Sequence, residues 1–207
     1  MAITELEKHT DICNLALAKI GQHQIDNIQQ ASMQARQCRL HLPQVRQKLL
    51  RDHPWNFASR FIALPVNAEE LAVKWTYRFK MPSDYMQLIQ AWTDNARTYQ
   101  IDEFNIAGRS FLTEKETVFI EYIADVCDPR HWEPSFTDCA VTALAAALCI
   151  PVGGNARLRA AILDELYNVC IPQAHVNNAW EDASNENNNT MKRMEDSTLI
   201  QQNNYYI

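Results

Sequence analysis

Apolar positions in the first quarter of the chain recur in steps of three and four. Between about residues 5 and 20, Leu6, Ile12, Cys13, Ala16, Leu17 and Ile20 share one arc of a helical wheel, which predicts an amphipathic helix. Thr4 and Glu7 have the capping-box spacing at its start, and Gly21 stands where such a helix should stop. Leu15 and Ala18 lie off the arc, and a second, weaker apolar face on a surface helix hints at a partner. From about Ser32 to Arg51 a second helix is predicted. Ala35, Cys38, Leu42, Val45 and Leu49 form a narrow seam for a neighbouring helix. Arg36, Arg39, Arg46, Lys48 and Arg51 cover its flanks, either as a solvated basic face or as contacts to acidic groups on a neighbouring subunit. Pro43 removes one backbone donor and predicts a kink.

The stretch "LLRDHPWNFASR", residues 49–60, ends that helix, because Pro54 pushes His53 out of helical geometry. Trp55 and Phe57 carry large apolar areas and are expected to plug the end of a bundle. His53 has no serine or cysteine close by in sequence and is read as structural.

The period changes to two over about 61–127. In "VKWTYRFKMP", Val73, Trp75, Tyr77 and Phe79 alternate with Lys74, Thr76, Arg78 and Lys80, giving one dry and one wet face. Aromatic residues interleaved with basic ones also suit single-stranded nucleic acid, though a half-buried strand explains them as well. Turn signals near Pro82–Asp84, Asp94–Asn95, Ala107–Gly108 and Glu114–Lys115 predict one small antiparallel sheet of roughly four to six strands. Helical periodicity then returns. Ser135 is the expected N-cap of an alanine-rich, buried helix, "CAVTALAAALC". Asn155 caps a longer helix with Leu158, Ile162, Leu166 and Val169 inward, kinked at Pro172. The fold class expected is mainly α: an antiparallel helical bundle (1–60 and 128–186), an inserted β region (61–127) and an extended C-terminal arm (187–207). The arm is polar and asparagine-rich, yet it holds Met191, Met194, Leu199, Ile200, Tyr205, Tyr206 and Ile207. Those residues would be wasteful on a solvated tail and suggest ordering on a partner.

Composition narrows the possibilities. A formal net charge of −6 argues against a DNA-reading protein, which usually shows a basic stripe. With four glycines and no GxGxxG or GxxxxGK, no phosphate cradle is expected. The six cysteines form no CxxC pattern; reduced core thiols are expected, and no metal or cofactor site. No signal-peptide pattern opens the chain, and "CAVTALAAALCIPV" is too short to span a bilayer, so a soluble protein of a reducing compartment is expected. GxSxG, HExxH and HxH are missing, the six histidines are scattered, and acidic pairs such as Glu69–Glu70 and Asp102–Glu103 fall at predicted turns or strand ends.

"DICNLALAKIG", the run through "LPQVRQKLLRDHPWNFASR" and "YRFKMPSDYMQLI" together resemble the tail tubular protein A family of short-tailed phages, the head-to-tail adaptors or connectors. The resemblance covers residues 11 to about 90 and is weaker over 135–185. It implies a non-enzymatic virion protein at the head–tail junction, assembled in the bacterial cytoplasm. Such proteins form a ring of twelve copies between the portal protein and the tail nozzle protein, with the genomic DNA passing through the lumen. The family's motif residues, here Asn14, Leu15, Gly21, Pro54, Trp55, Asn56 and Phe57, are then fold-making. The arm would dock on the portal, and Leu15, Ala18, Arg36, Arg39 and Arg46 become candidates for contacts between subunits. The alternative is a tail-associated enzyme that degrades cell wall or polysaccharide.

Overall fold

The computed structural model describes the backbone over residues 3–67 and 74–181, and the side chains over 7–65 and 74–181. Two helices, α1 (Ile3–Lys19) and α2 (Met33–Asp52), precede seven strands. These are β1 (Ser59–Ala63), β2 (Val66–Asn67), β3 (Tyr77–Lys80), β4 (Tyr85–Trp92), β5 (Phe104–Ala107), β6 (Ser110–Thr113) and β7 (Phe119–Ala124). Then come α3 (Pro134–Leu148) and α4 (Ala156–Glu165). The last of these continues through a π turn, Leu166–Cys170, into a helical stretch over 171–181, so that 156–181 is one long C-terminal helix.

Helix α3 is the hub. Its alanines let neighbouring backbones come close, and α1, α2 and the C-terminal helix all pack on it. The seams read from the sequence face this hub: Ile12, Cys13, Ala16 and Leu17 of α1, and Ala35, Cys38, Leu42 and Leu49 of α2, are all buried. Gly21 ends α1 in the left-handed region at φ 68°, where a side chain would be strained. The amide of Gln22 donates to the Leu17 carbonyl at 2.9 Å and that of Gly21 to Ala18 at 3.0 Å, which satisfies the carbonyls the helix leaves open. Ser32 caps α2 through a hydrogen bond from the Ala35 amide, and the helix runs unbroken through Pro43.

Two sheets replace the one expected. The first has the order β1-β7-β4, the second β2-β3-β6-β5, and every pairing is antiparallel. They bury a core of their own, with Phe79, Phe111, Val118 and Ile120 fully enclosed, apart from the core of the helices. The mainly helical expectation is therefore overturned: this is an α+β fold. The β segment is too apolar on its dry faces to serve as a surface decoration, so it closes on itself.

Local corrections follow the same logic. Helix α1 begins at Ile3, ahead of Thr4. Helix α3 begins at Pro134 with Glu133 as its N-cap, not at Ser135, because proline's fixed φ suits a first helical position. Val169 is 55% exposed, not inward. The π turn adds about one residue to the helical repeat and rotates everything after Leu166. Ala174 and Asn178 take the inner positions instead. Pro172 offers the cause: its ring pushes on the carbonyl four residues back and supplies no donor, and widening the turn upstream relieves both.

Candidate functional site

The "HPWNF" stretch folds into a clasp between the end of α2 and the C-terminal helix. His53 leaves α2 in extended geometry at φ −151°, and Asn56–Ala58 make a single 3-10 turn. Trp55 is 1% exposed, and its Nε1–H donates to the Leu49 carbonyl at 2.8 Å. Trp132 repeats the device, donating to the Val126 carbonyl at 2.8 Å. Both indoles meet Phe136 edge-on, at 5.0 and 5.1 Å between centroids, so α3 starts inside an aromatic socket.

Asn178, on the C-terminal helix, locks this socket. It is 2% exposed. Its Oδ1 accepts from the Asn56 amide at 2.9 Å, and its Nδ2 donates to the Pro54 carbonyl at 3.2 Å. Its Nδ2 also lies 3.3 Å from His53 Nε2, and its own carbonyl accepts from Asn56 Nδ2 at 3.1 Å. One turn earlier, His175 stacks on His53 at 3.8 Å. Asn178 had no place in the sequence reading. Its signal was its spacing, since 166, 174 and 178 share a face only once the π turn is counted.

Asn14, Arg39 and Arg46 also serve the fold. Asn14 grips the loop after α1, donating to the Ile25 carbonyl at 3.0 Å and accepting from the Ile25 amide at 2.8 Å. Arg39 donates to the carbonyls of Ile28 and Gln30 in that same loop. Arg46, expected on the surface, is buried: its Nε and Nη2 meet Asp125 at 2.7 and 3.0 Å, tying α2 to the end of β7. Its place in the sequence, four residues after Leu42 and three before Leu49, puts it on the buried side. It is withdrawn as a contact to another subunit.

Leu15 (54% exposed), Ala18 and Arg36 do lie on the surface. Met33 and Leu40 join Arg36 along the outer side of α2, with 57% and 55% exposure. The C-terminal helix has a matching outer side: Val169, Val176 (53% exposed) and Trp180 (73% exposed). Met191, Met194, Leu199, Ile200, Tyr205, Tyr206 and Ile207 lie outside the described residues.

Two clefts open beside the helices. One, of about 140 Å³, has an apolar floor of Val45, Leu49, Ala146 and Leu163 with Lys48, Asp52 and Arg159 at its rim. There Lys48 Nζ donates to Tyr167 Oη at 3.0 Å. The other, of about 270 Å³, lies between the start of α3 and the C-terminal helix and is lined by Ser135, Asp138, Gln173 and Asn177. Cys170 also lines the second cleft, and its thiol donates to Thr142 Oγ1 at 3.8 Å. The buried Cys13 and Cys139 thiols are poor nucleophiles. A hydrogen bond to Cys38 and then burial hold Cys13 protonated, and burial pushes Cys139 up to about 12. Exposed Cys127 sits with its carbonyl 3.1 Å from His9 Nε2. Among the described residues no three His, Cys, Asp or Glu side chains converge as a metal site, and no helix is long and apolar enough to cross a membrane.

No protein-family model and no curated protein matches the chain.

Proposed function

We propose that the chain is a structural virion protein, a head-to-tail adaptor. Copies would form a ring, of twelve by the resemblance above, between the portal and the tail nozzle protein, and the genome would pass through it. The observation that carries the reading is the pair of outer apolar stripes. Met33 and Leu40 sit across α2 from its buried seam, and Val169 and Val176 across the C-terminal helix from Ala174 and Asn178. Apolar side chains gathered on one exposed helix face suit contact with another protein surface. The sequence stretches that resemble the adaptor family support it too, since Asn14, Gly21 and Trp55 fasten the helices that carry these stripes. An acidic chain also suits a conduit, because each phosphate contact would add salt-sensitive drag on passing DNA.

The test is imaging of the purified full-length chain with portal and nozzle proteins. Rings seated on the portal are expected. Deleting residues 190–207 is expected to abolish portal binding while the helical circular dichroism and melting temperature stay unchanged. Full-length chain that leaves the portal bare at micromolar concentration would sink the adaptor reading.

A further inference from the structure

Asn178 can point its side chain only one way. Its Oδ1 meets the Asn56 amide at 2.9 Å, a group that can only donate, and its Nδ2 meets the Pro54 carbonyl at 3.2 Å, a group that can only accept. Two backbone groups therefore fix which end is oxygen and which is nitrogen. The same Nδ2 lies 3.3 Å from His53 Nε2. An NH2 group donates, so this contact is a hydrogen bond only while Nε2 carries no hydrogen. That makes His53 neutral, with its proton on Nδ1. Added acid puts N–H against N–H inside the socket.

His175 makes a second charge unfavourable. The two imidazoles stack with centroids 3.8 Å apart and planes 19° apart, and Trp55 stands edge-on to both, at 5.2 and 5.9 Å. Two protons on the pair set like charges face to face. The charged side chains that the packed elements bring around the clasp are Arg51 and Asp52 of α2, Asp138 of α3 and Glu181 of the C-terminal helix, all exposed, and Glu133, the N-cap of α3. Burial pushes the Glu133 carboxyl up, so acid favours its folded form and opposes the effect of the histidines. Little else holds this part of the helix. Past Cys170, among the described residues, Ala174 and Asn178 alone are buried. The π turn at Leu166–Cys170 and Pro172, which has no N–H, weaken the helical ladder just before them.

We propose that His53 is an acid-operated latch. Neutral, it accepts from Asn178 and keeps the C-terminal helix on the end of α2; protonated, it repels that amide and lets the helix part from α2 beyond the π turn. The sign follows from linkage. An open, solvated imidazole titrates near 6.5, whereas the clasped one has to stay neutral. The latch therefore contributes its full stability above about pH 6.5 and loses it as pH falls. Excluding one proton raises opening about tenfold at pH 5.5, and about tenfold more for each further unit of acid. The segment it frees is the one that leads into residues 182–207.

Two measurements on the full-length chain test the latch. Nitrogen NMR of the histidine rings at pH 7.5 reads the tautomer: His53 is expected with its proton on Nδ1, and a proton on Nε2 overturns the proposal. Amide hydrogen exchange, corrected for the chemical rate, reads opening. From pH 7.5 to 5.5, residues 171–181 are expected to open at least about tenfold more, with no comparable rise in α3. His53→Phe keeps a stacked ring that takes no proton, and its exchange over 171–181 is expected to be faster at pH 7.5 and flat with pH. His175→Phe leaves His53 in place and is expected to keep at least the tenfold response. A wild type without the acid response, a His53→Phe variant that keeps it, or a His175→Phe variant that loses it would each overturn the proposal. If circular dichroism shows that His53→Phe does not fold, the tautomer and His175→Phe decide. Portal binding tests the adaptor reading independently.

Discussion

Replacing Asn178 by alanine tests whether the clasp holds the end of α2 to the C-terminal helix. Its side chain accepts from the Asn56 amide and donates to the Pro54 carbonyl, in surroundings that leave Asn178 only 2% exposed. Orphaning the Asn56 amide costs about 1–3 kcal/mol, and the lost bond to Pro54 about 0.5–1.5 kcal/mol. Alanine is the better helix former, which returns about 0.5 kcal/mol. The net expectation is a loss of about 1–4 kcal/mol. For a chain of this size that lowers the melting temperature by about 2–16 °C. Urea unfolding followed by circular dichroism and by tryptophan fluorescence reads it directly, and Trp55 lies in the affected socket. Asn177→Ala is the control: Asn177 is exposed and its Nδ2 donates to Ser135 Oγ at 3.0 Å, so it should move stability by less than about 0.5 kcal/mol. If Asn178→Ala stayed within that same margin of wild type, the clasp would be ornament and the account of "HPWNF" wrong.

Three further outcomes follow from the same structure. Arg46→Ala leaves Asp125 half-buried with Gln47 Nε2 at 3.0 Å as its remaining side-chain partner among the described residues, and is expected to lose about 2–4 kcal/mol in urea unfolding; a double-mutant cycle with Asp125→Ala should show coupling above about 1 kcal/mol. Trp55→Phe keeps most of the apolar volume but strands the Leu49 carbonyl, a loss of about 1–2 kcal/mol, whereas Trp55→Ala opens a cavity and loses about 3–5 kcal/mol; a Trp55→Phe variant as stable as wild type would mean that the indole N–H contributes nothing. The third concerns alkaline pH. Burial, then the charge and hydrogen bond of Asp84, push the Tyr122 phenol up to about 12, so the folded state favours the neutral form. A raised folded pKa gives stability that is intact below the unfolded value near 10 and fades as pH climbs toward 12. Tyr122→Phe should flatten that decline in a pH series of melting temperatures, and an unchanged slope would contradict the assignment.

The helices were legible because their information is local. Ala35, Cys38, Leu42 and Leu49 announce a buried seam by spacing alone, and Gly21 and Asn155 mark helix ends by chemistry that acts within five residues. The strands were legible as strands for the same reason, down to the turns at Asp94 and Gly108. Their partners were not. Alternation tells which face of β7 is dry, but nothing within Phe119–Ala124 says that it pairs with Ser59–Ala63 on one side and Tyr85–Trp92 on the other. Splitting the β region into two sheets is a choice made by long-range packing around Phe79 and Phe111, and a period of two is the same for either outcome.

The candidate surfaces were legible by the opposite test, and Arg46 shows how that test fails. Leu15 and Arg36 were picked for standing off the buried arc, and both are exposed. Arg46 was grouped with the flanking cations because it is an arginine, although its phase, between Leu42 and Leu49, is that of the seam. A charged residue in a buried phase forces one of two outcomes: the helix turns to expose it, or the fold delivers an opposite charge. Here Asp125 is delivered from 79 residues away, at the mouth of a strand whose partner no local pattern reveals. The identity of the partner was beyond reach, but the need for one was not.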